Sequence, residues 1–80
     1  MSVIQALVFS KEYFNKQQSE NWIKKHKEFK PIKKVHEPPL TYRYRLKEPN
    51  DKYDYRMKKL TTGIKAVVAF LSYQIIEQNF

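Results

Sequence analysis

Arg43, Arg45 and Lys47 occupy alternate positions of the stretch LTYRYRLK, residues 40 to 47. In an extended chain that spacing puts three cations on one side, about 6 to 7 Å apart, which resembles the separation of successive phosphates along one nucleic-acid strand. Guanidinium groups add bidentate geometry that ammonium groups lack. Phosphate contacts of this kind give affinity and salt dependence without a choice of base sequence. Arg56 and Lys58 repeat the two-residue spacing and join the same face if the two strands pair antiparallel. A second cluster, KKHKEFKPIKK at residues 24 to 34, holds six lysines in eleven positions. Lys24, Lys25, Lys27, Lys33 and Lys34 would extend the cationic surface from a helix end into a strand. Both clusters also have a plainer reading, as solvated positions that keep the sheet soluble and its edges unattractive to neighbours.

Other chemistry has thinner support. Tyr42, Tyr44, Tyr53 and Tyr55 alternate with basic or acidic residues, and single-strand binders use such rings as stacking platforms worth about 1 to 3 kcal/mol per base. Packing beneath Trp22 and Ile23 is the favoured alternative, and the glycine that a ribonucleoprotein-type signature places between its aromatics is missing. Only His26 and His36 are available as imidazole acid-base groups. His26 shares a helical stripe with Trp22 and reads as a packed structural residue, while Asp51 and Asp54 flank a turn and read as capping groups. One Gly excludes a phosphate-binding glycine loop, no Cys is available as a metal ligand, and the His and carboxylate spacings match no zinc pattern. The expectation is a binding protein: no enzyme, no catalytic residues, no cofactor, no metal, and no small-molecule substrate.

The charge balance points the same way. Sixteen Lys and Arg against eight Asp and Glu give a formal charge of +8. Residues 24 to 65 alone hold fourteen basic and five acidic residues, so the net +9 there is offset by −1 at the two ends. A cationic middle favours polyanionic partners: nucleic acid, an acidic protein surface or, with less support, anionic lipid. The absence of Cys excludes disulfides and fits a reducing compartment. The opening MSVIQALVF lacks the basic lead and cleavage site of a signal peptide, and no apolar run approaches the roughly 18 residues of a membrane span.

Positioning these residues takes one small domain, since eighty residues leave room for one sheet and one or two helices. Val3 to Phe9 reads as a strand covered on both faces. Asn15 and Gln18 form a capping box, and Ser19, Trp22, Ile23 and His26 fall on one stripe of a helix over about residues 16 to 27. Pro31 to His36 is expected as a short strand, residues 40 to 47 as a second with Leu40, Tyr42, Tyr44 and Leu46 inward, and Tyr53 to Leu60 as a third. Gly63 turns the chain tightly into Ile64 to Leu71. The expected fold is α+β, one domain over residues 1 to 72 in the order β-α-β-β-β-β: a mainly antiparallel sheet, read as a meander, with the helix on one face. The C-terminal tail, residues 73 to 80, is compatible with a short helix or a further strand.

The order Phe14, Ser19, Trp22-Ile23, His26, then Phe29 to Lys34, then Tyr42-Arg43-Tyr44-Arg45, Pro49, Tyr55 to Lys58, Leu60 and Gly63-Ile64-Lys65-Ala66-Val67 resembles a group of small proteins of large DNA viruses and tailed phages. Their pattern is Phe-Thr-x-x-x-Ala-x-x-Trp-Leu-x-x-His, followed by Tyr-x-Arg-x-Arg-x-x-x-Pro and Gly-Ile-x-Ala-Val. The resemblance spans residues 14 to 67 and departs at Asn15 and Ser19, where Thr and Ala are usual. It implies a viral setting, in the host-cell interior (cytoplasm or nucleus) or the virion and not secreted, and it carries over no site residue. The expectation is a basic nucleic-acid-binding protein gripping the phosphate backbone, with a virion or host-interaction module docking on an acidic protein surface as the alternative. Exposed edge strands would also permit a homo-oligomer.

Overall fold

The computed structural model describes residues 3–71. Strand β1 (Val3–Ser10) is followed by helix α1 (Lys16–Lys25) and by strands β2 (Thr41–Arg45), β3 (Tyr53–Thr61) and β4 (Ile64–Leu71). The strands form one sheet in the order β2-β1-β4-β3, every neighbouring pair antiparallel. This is the expected α+β class with an antiparallel sheet and one helix. The expected meander does not form, because β2 and β3, consecutive in sequence, lie on opposite edges. Composition explains the order: VIQALVFS and IKAVVAFL are the most apolar strands and take the two central places, while the polar TYRYR and YDYRMKKLT take the edges, where charge protects unpaired backbone.

The strand expected over Pro31 to His36 is reduced to one bridge, His36 opposite Arg43. His36 N–H donates to the Arg43 carbonyl at 2.9 Å, Arg43 N–H donates back at 2.7 Å, and Ile32 N–H donates to the Arg45 carbonyl at 2.9 Å. These bonds lay the segment along the outer edge of β2. Pro31 has no N–H to donate, and Pro38-Pro39 ends the run, so a longer ladder has nothing to build on.

Helix α1 begins as its capping box requires. The Asn15 side chain accepts from Gln18 N–H at 2.8 Å, and the Gln18 side chain accepts from Asn15 N–H at 2.9 Å. The helix stops two residues short of the expected end, at His26, whose N–H donates to the Ile23 and Trp22 carbonyls and whose ring stacks on Trp22 at 3.6 Å. His26 is thus the packed structural residue that the stripe predicts. The buried stripe residues Ser19 and Ile23 face a core of Leu7, Phe9, Tyr44, Ile64 and Ala66. Phe9 is its hub, edge-on to Phe14, Trp22 and Tyr44 at 5.1, 5.5 and 5.5 Å. Each such ring pair contributes about 0.5 to 1.5 kcal/mol beyond burial of area.

Two irregularities set the register. Gln5, the polar interruption in the first apolar run, is a bulge: Ile4 pairs with Val68 and the next pair is Ala6 with Val67. The extra residue returns Ile4 and Leu7 to the same face, against the helix. Gln5 itself is buried, with its Nε2 donating to the Lys47 carbonyl at 2.7 Å and its own carbonyl accepting from Leu46 and Lys47. Gly63, at φ +80°, makes the β3–β4 turn, and a Cβ there would lie 2.8 Å from Cβ of Tyr13. The helix-or-strand question at residues 73 to 80 lies outside the described residues.

Candidate nucleic-acid interface

Residues directly opposite in an antiparallel ladder share a face, so the register fixes where each charge points. On the helix side, Tyr44 aligns with Leu7, Ala66 and Lys58, and Tyr42 aligns with Phe9 and Ile64. On the other side run two rows across all four strands: Arg43–Val8–Lys65–Lys59 and Arg45–Ala6–Val67–Met57. Arg43 and Arg45 therefore project away from the core while Tyr42, Tyr44 and Leu46 pack into it, as the alternation predicts. Leu40 departs from that pattern. It precedes β2 and is 78% exposed, since its carbonyl is turned to accept from Lys11 N–H at 3.0 Å and the strand begins only at Thr41.

Arg56 and Lys58 require a correction. They share rows with Val68 and Ala66, on the helix side and on the far edge strand. The strand order separates them from Arg43 and Arg45 by two strands and one sheet face.

What the fold does bring together is the two basic clusters. Lys33, Lys34, His36, Arg43 and Arg45 line one groove of about 400 Å³ on the outer edge of β2. The backbone bonds of His36 and Ile32 to β2 hold the lysines beside the arginines. Glu48 approaches the group, 3.3 Å from Lys33 Nζ and 3.7 Å from Arg45 Nη1. Its carboxylate and both cations are well exposed, so these contacts are weak. Lys34 and Arg43 have no ion pair among the described residues. The remaining basic residues named by the sequence lie outside the groove: Lys24 and Lys25 end α1 and Lys27 follows it, with Lys25 beside Trp22 and Phe14 in a separate depression. Lys47 follows β2, where Gln5 holds its backbone.

Three residues of this face escaped sequence reasoning. His36 reads there only as an acid-base group, and its place in the groove follows from the bridge to Arg43. Lys59 and Lys65 stand directly opposite each other across the β3–β4 ladder and in one row with Arg43. The lone charge within IKAVVAFL marks Lys65 as outward-facing, but its row-mates depend on strand order.

The tyrosines divide. Tyr42 and Tyr44 pack beneath the helix, Tyr42 with Lys11 Nζ 4.9 Å above its ring and Tyr44 with its hydroxyl 2.6 Å from Ser19 Oγ. Burial raises the Tyr44 pKa, partly offset by the Ser19 hydrogen bond. Tyr53 and Tyr55 lie on the opposite face of β3, so packing beneath Trp22 and Ile23 is corrected for these two. The Tyr55 hydroxyl accepts from Asn50 N–H at 2.7 Å and donates to its carbonyl at 3.2 Å, which fixes the ring.

Among the described residues no three His, Asp or Glu side chains gather as a metal site, and no helix is long and apolar enough to cross a membrane. No protein-family model, curated protein or solved structure matches the chain.

Proposed function

We propose that this chain binds nucleic acid through the phosphate backbone, with the groove of Lys33, Lys34, His36, Arg43 and Arg45 as its primary contact. The observation that carries this reading is the meeting of two basic stretches around one groove whose lining, among the described residues, holds no carboxylate; the exposed Glu48 approaches Lys33 and Arg45, and Glu37 lies with Lys33 and Lys34 in a neighbouring depression. Like charges so gathered repel each other, and a polyanion relieves that repulsion while releasing its own counterions. Lys65 and Lys59 extend the same face toward β3. The viral setting implied by the resemblance, and a place in the host-cell interior or virion, belong to this proposal. Fluorescence anisotropy with labelled DNA and RNA across a salt series tests it: log K should fall linearly with log[salt], by about 0.7 to 0.9 per phosphate neutralised. Binding only to an acidic protein or polyglutamate, with none to nucleic acid at low salt, would move the assignment to an acidic docking partner.

A further inference from the structure

The face that carries Arg43 continues into a second, chemically different depression. Val8, Tyr13, Leu40, Thr41, Met57 and Lys65 contribute to a mainly apolar groove of about 570 Å³ at the end of the sheet where β1 and β3 finish and β2 and β4 begin. Tyr13, Leu40 and Met57 are 58%, 78% and 55% exposed, so three of the six large apolar side chains that the described surface leaves open converge here. Isolated exposed apolar residues are ordinary, whereas a convergent set marks a binding surface.

Lys59 and Lys65 supply a second, independent observation. They are directly opposed across the β3–β4 ladder, and neither has an ion pair among the described residues. Like charges directly opposite each other destabilise a sheet, so an anion bound between them would relieve that repulsion; Lys11 and Glu12 line the same groove. The anion site and the apolar groove share residues, since Lys59 and Lys65 both line it. Both grooves border β2: Thr41 lines the apolar one, and Arg43, two residues along the same strand, lines the basic one.

Resting on the proposed backbone binding, we infer that the ligand is single-stranded nucleic acid, with an unpaired base in the apolar groove and its flanking phosphates on Arg43, Lys65 and Lys59. A single strand alternates one charge with one flat apolar ring, whereas a duplex hides its rings in the stack and can offer this concave surface only phosphates. Gly63 places the β3–β4 turn against Tyr13 too closely for any side chain between them, so the wall of the groove is set before the ligand arrives. A second copy of the chain fits poorly, because each copy brings a charge of +8.

The experiment compares a labelled oligothymidine with a duplex of equal length by anisotropy at fixed salt. The wild type should bind the single strand about tenfold or more tightly than the duplex. Leu40→Ser combined with Met57→Ser should remove most of that preference while leaving duplex affinity within about twofold. Both residues are exposed, so the variant folds, which Trp22 fluorescence verifies. Arg43→Ala with Arg45→Ala should weaken both ligands together. Equal wild-type affinity for the two probes, or an unchanged preference in the Leu40/Met57 variant, would overturn the single-strand assignment and leave backbone binding standing. Competition by a Glu/Leu peptide as effective as that by oligothymidine would overturn it in favour of an acidic apolar partner. Failure of both probes to bind at low salt would remove the parent reading and this one together.

Discussion

The Ser19 and Tyr44 hydroxyls meet 2.6 Å apart in the core, joining α1 to β2 at the point where β2 must choose which face to bury. Ser19 donates onward to the Lys16 carbonyl at 2.8 Å, so Tyr44 is the donor between them. With this phenol fixed inward, the alternation of the strand turns Arg43 and Arg45 outward. A one-residue slip would bury both guanidiniums and expose both phenols. The hydrogen bond thus helps to hold the basic groove in place although it lies on the other side of the sheet.

Its two ends should respond unequally to removal. Tyr44→Phe leaves Ser19 bonded to Lys16 and should cost about 1 kcal/mol, whereas Ser19→Ala leaves the Tyr44 hydroxyl buried without a partner and should cost about 1 to 3 kcal/mol. Urea unfolding followed by Trp22 fluorescence measures both. A larger loss for Tyr44→Phe than for Ser19→Ala would contradict this chain of donors.

The same residue makes the fold sensitive to alkali. Burial raises the Tyr44 pKa above its unfolded value, so the folded state holds that proton more tightly than the unfolded chain. Its contribution is fully present below the ordinary tyrosine pKa of about 10 and is lost as pH rises through the folded value. Thermal midpoints should fall more steeply above about pH 10 in the wild type than in Tyr44→Phe. Identical slopes would show that Tyr44 does not titrate differently in the two states.

Much of this local structure is legible in the sequence because its causes lie within a few residues. Asn15 and Gln18 announce the helix start, Gly63 the tight turn, and Tyr42/Arg43/Tyr44/Arg45 a two-faced strand. Strand order is a different kind of information. Period-two alternation says that Arg56 and Lys58 share a face of β3, but it cannot say which strand lies beside β3, and that neighbour decides which side of the sheet the face is on. The Gln5 bulge shifts register by one residue without any Gly or Pro to signal it, and Leu40 fits the alternation yet falls before the strand begins. The basic groove was half visible for the same reason: its two clusters stand out by composition, and only the His36 bridge makes them one site.

Gly63→Ala should be among the most damaging single changes outside the buried core. It forces a side chain into positive φ and brings Cβ within 2.8 Å of Tyr13 Cβ and 2.9 Å of Phe14 Cε2. A loss of about 1 to 3 kcal/mol is expected, read from the shift in unfolding midpoint. Asn15→Ala removes half of the capping box and should cost about 1 kcal/mol. Because Asn15 is exposed and distant in sequence from the basic groove, nucleic-acid affinity should survive that change.

The strand order also makes a discriminating prediction about charge. Arg43→Ala with Arg45→Ala and Arg56→Ala with Lys58→Ala each lower net charge by the same two units, so a protein that attracts polyanions by overall charge alone would lose equal affinity in both variants. If the β2 edge is the contact surface, the first pair should flatten the slope of log K against log[salt] by about 1 to 2 and the second should leave it nearly unchanged. Arg56 has another occupation, lying 5.3 Å over the Phe70 ring, so its removal should appear instead as a loss of stability of about 0.5 to 1 kcal/mol. Equal slopes for the two double variants would mean that the sheet does not present its charge to the ligand from one side, and the groove would lose its place as the primary contact.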